Sequence, residues 1–133
     1  MVNDGVGILF QNNEQFLLLH RNNEDIWECP KGHIEERENH KEAIVRELFE
    51  ETGIEIFDIL SKIGVLTFEF ISKKTGKQKR RDITYYHVKT NILDVKISSE
   101  HNDFKWLNKE DLMSTLQFDD IKDLFKKYFN KNE

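Results

Sequence analysis

The chain is short of the residues that staple, punctuate or anchor a polypeptide. Its single cysteine, Cys29, excludes an internal disulfide and suits a reducing compartment, so a cytoplasmic location is expected. One proline, Pro30, and six glycines leave no low-complexity linker, and no internal repeat is visible. No apolar run approaches the ~18 residues of a membrane span. The N-terminus lacks the basic region and sustained apolar run of a signal peptide, so no membrane partner is expected. Positive charge is also in deficit: 20 Lys and Arg against 25 Asp and Glu give a net charge of −5. That field has the wrong sign for general attraction to polyanions, and no stable nucleic-acid complex is expected.

What is present suits one domain, residues 1–133, large enough for a single core without staples. Ten phenylalanines supply bulk in a chain that is 38% hydrophobic and 34% charged. Near its middle lies GHIEERENHKEAIVRELFEETGI, Gly32 to Ile54. Glu47, Glu50 and Glu51 stand at i, i+3 and i+4, which places three carboxylates on one face of a helix. Ile44, Val45, Leu48 and Phe49 point elsewhere and are expected to pack. Three like charges so close repel one another, and hard oxygen donors gathered in this way suit Mg²⁺, with Mn²⁺ able to substitute. Glu38 or Asn39 can cap the helix, which runs to about Thr52, with Gly53 in the left-handed closing position. Glu35, Glu36 and Glu42 read as ordinary surface charges.

The flanking chain alternates strand and helix signals. Gly5–Phe10 and Gln15–His20 are apolar runs separated by a polar turn, a hairpin. Trp27-Glu28-Cys29 is a short strand that Pro30 ends, with Trp27 a core aromatic and Cys29 an inert buried thiol. Ile54–Phe57, Ile59–Ile71 and Ile83–Thr90 read as strands. Ser72–Asp82 reads as a basic hairpin, either a solvated tip or a flexible cationic arm whose Lys79, Arg80 and Arg81 are the better candidates to touch phosphate. Phe68, Phe70, Tyr85 or Tyr86 could stack a base. Phe104–Leu107 is a short strand, and Asn108 caps a helix through about Thr115. Phe118, Ile121, Leu124, Phe125, Tyr128 and Phe129 recur at helical steps and form an amphipathic helix, from which Tyr128 or Phe129 is a further candidate for a base pocket.

Gly32, Glu38, Arg46-Glu47-Leu48, Glu50-Glu51 and Gly53-Ile54 together match the Nudix box at every spacing. The chain therefore resembles the Nudix hydrolases. Trp27, Pro30-Lys31-Gly32-His33 and Glu100-His101 before Phe104-Lys105-Trp106-Leu107 look like the asymmetric diadenosine tetraphosphate hydrolases within that family. The resemblance implies an α/β fold, an α/β/α sandwich with a mixed central sheet and a catalytic loop-helix-loop. It implies metal ligation by Glu47, Glu50 and Glu51 and by the backbone carbonyl of Lys31, with Glu47 alternatively serving as a base, and it places Glu100 at the metal or at the attacking water. Arg46 joins the catalytic set by pairing with Glu38 and fixing the glutamates. Substrate contacts are expected from Lys31, His33, Lys79, Arg81, Phe70, Tyr85 and Tyr128.

The expected activity is Mg²⁺-dependent hydrolysis of a dinucleoside polyphosphate to a nucleoside triphosphate and a monophosphate. The alternatives are pyrophosphate removal from RNA 5′ ends, or hydrolysis of nucleoside triphosphates or diphosphoinositols. A non-catalytic nucleotide-sensing module would be expected to have lost box glutamates, and none is missing. A monomer is expected, with a dimer as the alternative. The family pattern commonly carries a Pro-Gly pair where this chain has Glu36-Arg37.

Overall fold

A computed structural model describes residues 4–132. Strands β1 (Gly5–Asn12) and β2 (Gln15–Arg21) form the expected hairpin, with Asn13 in the left-handed region (φ 53°) at its turn. β3 (Ile26–Glu28) and β4 (Lys31–His33) follow, then helix α1 (His40–Thr52). β5 (Asp58–Ile71), β6 (Gln78–Lys89), β7 (His101–Asn108), α2 (Lys109–Thr115) and α3 (Asp119–Lys131) complete the chain.

The sheet is mixed. Its main path runs β3-β2-β1-β6-β5, with β4 on β1 and β7 on β2, and β1 lies parallel to β6. β1 and β2 pair only beside their turn, Gln11 with Phe16 and Asn12 with Gln15. Beyond it they part. β4 takes the free edge of β1, β3 takes that of β2, and Pro30 sits at the corner with its carbonyl accepting from Ile8 N–H (2.8 Å). Proline has no N–H for a ladder, so it belongs at such a corner. The parted strands lead the chain from Gly32 towards α1.

Both faces of the sheet are covered, which is why GVGILF reads as a continuous apolar run instead of an alternating one. Val6, Ile8, Phe10, Leu17 and Leu19 pack against Ala43, Ile44 and Leu48 of α1. On the other face Leu9, Phe16, Leu18, Ile83 and Tyr85 pack against Leu112 of α2 and Ile121, Phe125 and Phe129 of α3. Cys29 is buried there too, its thiol pushed up to about 12 by burial, so it stays protonated and inert. Trp27 packs at that core's margin, as expected, with Lys105 Nζ 4.5 Å from its ring centroid.

Four local readings need correction. Ile54–Phe57 is a loop: Ile54 N–H bonds to Thr52 Oγ1 (3.1 Å) and Ile56 carbonyl to Thr90 Oγ1 (2.8 Å), so side chains satisfy what a ladder would have. The basic arm is shorter, because β6 starts at Gln78 and Lys79, Arg80 and Arg81 pair with Phe70, Glu69 and Phe68 of β5. Only residues 72–77 form the tip. Val45 (44%) and Phe49 (54%) are exposed, because α1 turns Ile44, Glu47, Leu48 and Glu51 inwards instead. Finally, Glu35 and Glu42 have jobs. Glu35 pairs with Arg46 (2.8 Å), and Glu42 closes a capping box with Asn39, accepting its N–H (3.0 Å) while donating its own to Asn39 Oδ1 (2.8 Å).

Candidate active site

α1 delivers the box to the mouth between the parted strands. Asn39 fixes its start, and Gly53 (φ 75°) ends it in the left-handed conformation that favours glycine. Glu47 and Glu51 therefore face β4, and both are nearly buried (8% and 6% exposed). Gly32 permits this: a Cβ there would collide with the Glu47 carboxylate. Lys31 N–H donates to Glu51 Oε1 (2.9 Å). In an extended strand one residue's N–H and C=O share an edge, so the Lys31 carbonyl turns towards the same helix.

Arg46 organises this loop. Its Nε and Nη2 donate to Glu38 (2.7 and 3.0 Å), Nη1 to Glu47 (2.7 Å) and Nη2 also to the His33 carbonyl (2.7 Å). Glu38 lies in the incoming loop, as the resemblance implies, and bridges the eight-residue separation there. Glu50 is more open and takes a longer bond from Arg46 Nη1 (3.3 Å).

The electrostatics follow from burial and crowding. Burial pushes Glu51 up to about 8; its bond from Lys31 N–H opposes this, while the charges of Glu47, Glu28 and Glu100 add to it. Burial also raises Glu47, and together with Glu50 and Glu100 it outweighs the opposing pull of Arg46. Burial acts on Glu28 in the same sense, yet His101, Lys31 and Arg21 together hold that carboxyl below its usual range. The carboxylates of this face thus resist carrying their charges side by side. A divalent cation with hard oxygen preference would relieve that repulsion, and Glu47, Glu50, Glu51, Glu100 and the Lys31 carbonyl supply donors of the right kind. No three acidic, histidine or cysteine side chains among the described residues are already gathered closely enough to hold an ion, since Arg46 occupies Glu47 and Glu50.

The cleft over this face measures about 1000 Å³. Lys31, Gly32, His33, Glu47, Glu50, Glu51 and Glu100 line it, with Arg81 and Ile83 at one side and the Arg21–Glu24 loop at another. Of the expected substrate contacts, Lys31, His33 and Arg81 line this cleft. Lys79 and Phe70 lie outside the lining, although Phe70 meets Arg81 (5.0 Å, cation to ring centroid).

Two expected substrate contacts are corrected. Tyr85 is 3% exposed and edge-on to Phe125, because β6 is an inner strand with helices on both faces. Tyr128 packs between α3 and the sheet, its hydroxyl 2.7 Å from His87 Nδ1 and 2.6 Å from Ser61 Oγ. Sequence reasoning missed Arg21 and Glu28. A lone carboxylate between Trp27 and Cys29 was a usable signal, since a charge in a burying strand must find partners.

Sheet, box loop and carboxylate face are arranged as in a Nudix domain, and a NUDIX domain profile matches residues 1–128. The chain belongs to the Nudix hydrolase family. Over 98 residues it is 33% identical to the asymmetrical bis(5′-nucleosyl)-tetraphosphatase of Mus musculus, covering 72% of this chain and 65% of that protein. The match thus spans just under two thirds of that relative's length. The RNA pyrophosphohydrolase of Pelagibacter ubique is 23% identical over 96% of this chain and 93% of its own. Among solved structures, a C. elegans Ap4A hydrolase binary complex superposes with a TM-score of 0.79 at 27% identity, covering 97% of this chain and 96% of that one. No helix among the described residues is long and apolar enough to cross a membrane.

Proposed function

We propose that this chain, acting as a single domain, hydrolyses a phosphoanhydride bond of a dinucleoside polyphosphate such as diadenosine tetraphosphate, releasing a nucleoside triphosphate and a monophosphate. The observation that carries this reading is the complete carboxylate face, Glu47, Glu50 and Glu51 with Glu100 beside it, in a cleft lined with cations. The likeness to the mouse and C. elegans proteins supports the substrate class. Nudix proteins generally use divalent metal ions, and Mg²⁺, or Mn²⁺ in its place, suits these oxygen donors. Such an ion would supply positive charge to phosphate oxygens and lower the pKa of the attacking water.

The chain's own groups do the rest. Lys31, His33 and Arg81 orient the polyphosphate, and Arg21 meets its far side. Arg46 keeps Glu47 seated against Gly32 while touching no substrate itself. Glu100 and Glu47 are the candidates for receiving the proton of the attacking water. A monomer in the cytoplasm, without a stable nucleic-acid complex, is the setting we assign; the lone buried thiol of Cys29 fits a reducing compartment.

A second reading, pyrophosphate removal from RNA 5′ ends, draws support from the Pelagibacter relative. A panel of diadenosine tetraphosphate, 5′-triphosphorylated RNA, nucleoside triphosphates and a diphosphoinositol, each with Mg²⁺ and with chelator, separates them. The expected result is metal-dependent turnover with the highest kcat/KM on the dinucleotide. Faster cleavage of the RNA would transfer the assignment, and no turnover of the dinucleotide would end it.

A further inference from the structure

Behind the box glutamates, Glu28 ends β3 with its carboxylate shared three ways. Arg21 donates through Nε (3.2 Å) and Nη2 (3.0 Å) to Oε2, Lys31 Nζ stands 3.6 Å from Oε1, and His101 Nε2 lies 3.0 Å from Oε2. β3 and β7 flank β2 on opposite edges: Glu28 is registered with Leu19, and His101 with Arg21. The Glu28–His101 contact therefore reaches over β2 and ties three strands together. It is a buried tie, with His101 4% exposed and the Glu28 side chain 11%. His101 Nδ1 has no partner among the described residues, so Nε2 is the ring's polar tether.

Immediately before His101 comes the turn that carries Glu100 to the cleft. Asn22 holds this turn from outside, with Nδ2 donating to the Ser99 carbonyl (2.8 Å) and its N–H to the Glu100 carbonyl (3.4 Å). His101 holds it from inside. Glu100 is otherwise exposed, yet its charge is felt at Glu47, Glu51 and Arg21. Where an exposed turn must keep a carboxylate over a fixed set of others, the buried residue next to it sets the distance.

We propose that Glu28 and His101 are positioning residues for Glu100: their contact across β2 pins the 98–101 turn over the carboxylate face of α1. This rests on Glu100 being part of the working site, as argued above. Neither Glu28 nor His101 need touch substrate. Outer partners of this kind typically cost 10–100-fold in activity or metal affinity when removed.

The experiment is a double-mutant cycle with two readouts. His101→Phe keeps a buried ring and loses the tether, His101→Gln keeps a donor near Nε2, and Glu100→Gln removes the positioned charge. One readout is kcat and KM on diadenosine tetraphosphate with Mg²⁺; the other is Mn²⁺ affinity by calorimetry without nucleotide. We expect H101F to lower kcat about 10–100-fold with KM within about threefold, and to weaken Mn²⁺ about tenfold. H101Q should recover most of both, and in the E100Q background H101F should cost almost nothing further.

Equal losses from H101F in both backgrounds, or no loss in either readout, would overturn the proposal. So would a kcat loss that H101Q fails to restore while its melting temperature stays normal. If H101F does not fold, E28Q takes its place in the cycle, with the same expected non-additivity. If the wild type does not turn over the dinucleotide, the substrate reading fails, and the Mn²⁺ cycle still decides this one.

Discussion

Among single residues, Glu51 has the most lopsided surroundings. Its folded pKa of about 8 stands above the ordinary 4.5, so between those values the folded state keeps a proton that the unfolded chain has shed. The stability this gives is fully present below about pH 4.5 and is lost as pH rises through about 8. In chelator, wild-type stability relative to E51Q should therefore fall across that window, by at most ~1.4 kcal/mol per pH unit. Urea titrations at pH 5, 6.5 and 8 check this, and saturating Mg²⁺ should flatten the trend. With substrate, the same E51Q change should lower kcat about 10²-fold or more, as losing a main electrostatic contributor does. The glutamates were legible in the sequence because a helix imposes its period locally. The Glu28–His101 contact was not, since its partners stand 73 residues apart and meet only once β2 lies between their strands.

At the level of elements, the turn into α1 carries Glu36-Arg37 where the resemblance implies a Pro-Gly pair, and its geometry favours glycine. Arg37 adopts φ 68°, the left-handed region, which costs a side-chain-bearing residue about 1–2 kcal/mol. Glycine avoids that cost but loses about 0.5–1 kcal/mol in chain entropy. Arg37→Gly should therefore raise the melting temperature by about 2–5 °C with activity unchanged, measured by thermal unfolding beside a rate assay.

The hairpin offers a second test at this scale. Its tip lysines, Lys73, Lys74 and Lys77, lie outside the cleft lining, whereas Arg81 belongs to it. Replacing the three lysines by Gln should leave KM within about twofold, while R81Q should raise it about tenfold, in line with losing a charge-assisted contact. A larger effect from the lysines would restore the idea of a reaching arm. In the sequence, Lys79 to Arg81 read as part of that arm because a run of charge resembles a loop, and periodicity does not separate the two. It does not show that Phe68 and Phe70 across the ladder give those stems a surface to lie on. Tyr85 reads as a stacking candidate for a related reason: alternation separates a strand's two faces without saying which helix covers each. The 54–57 loop reads as a strand because its apolar residues suit either state, and only Thr52 and Thr90 reveal how its backbone is satisfied.

For the molecule as a whole, the helices that cover one face of the sheet take no part in the cleft. Cleft residues run from Gly5 to Glu100, and α2 and α3 supply none of them. Those helices seal the far face, where Phe125 is wholly buried against Tyr85 and Phe129. Phe125→Ala should destabilise by about 3–5 kcal/mol through the cavity it leaves, with KM unchanged wherever the protein remains folded. Denaturation curves paired with kinetics at low temperature test that separation. Every candidate site residue is thus synthesised before the helices that close the back of the sheet. A ribosome that has just added Asn108 holds a chain with its candidate chemistry written and one face of its sheet bare, so losing residues 109–132 should silence the enzyme without removing one proposed ligand.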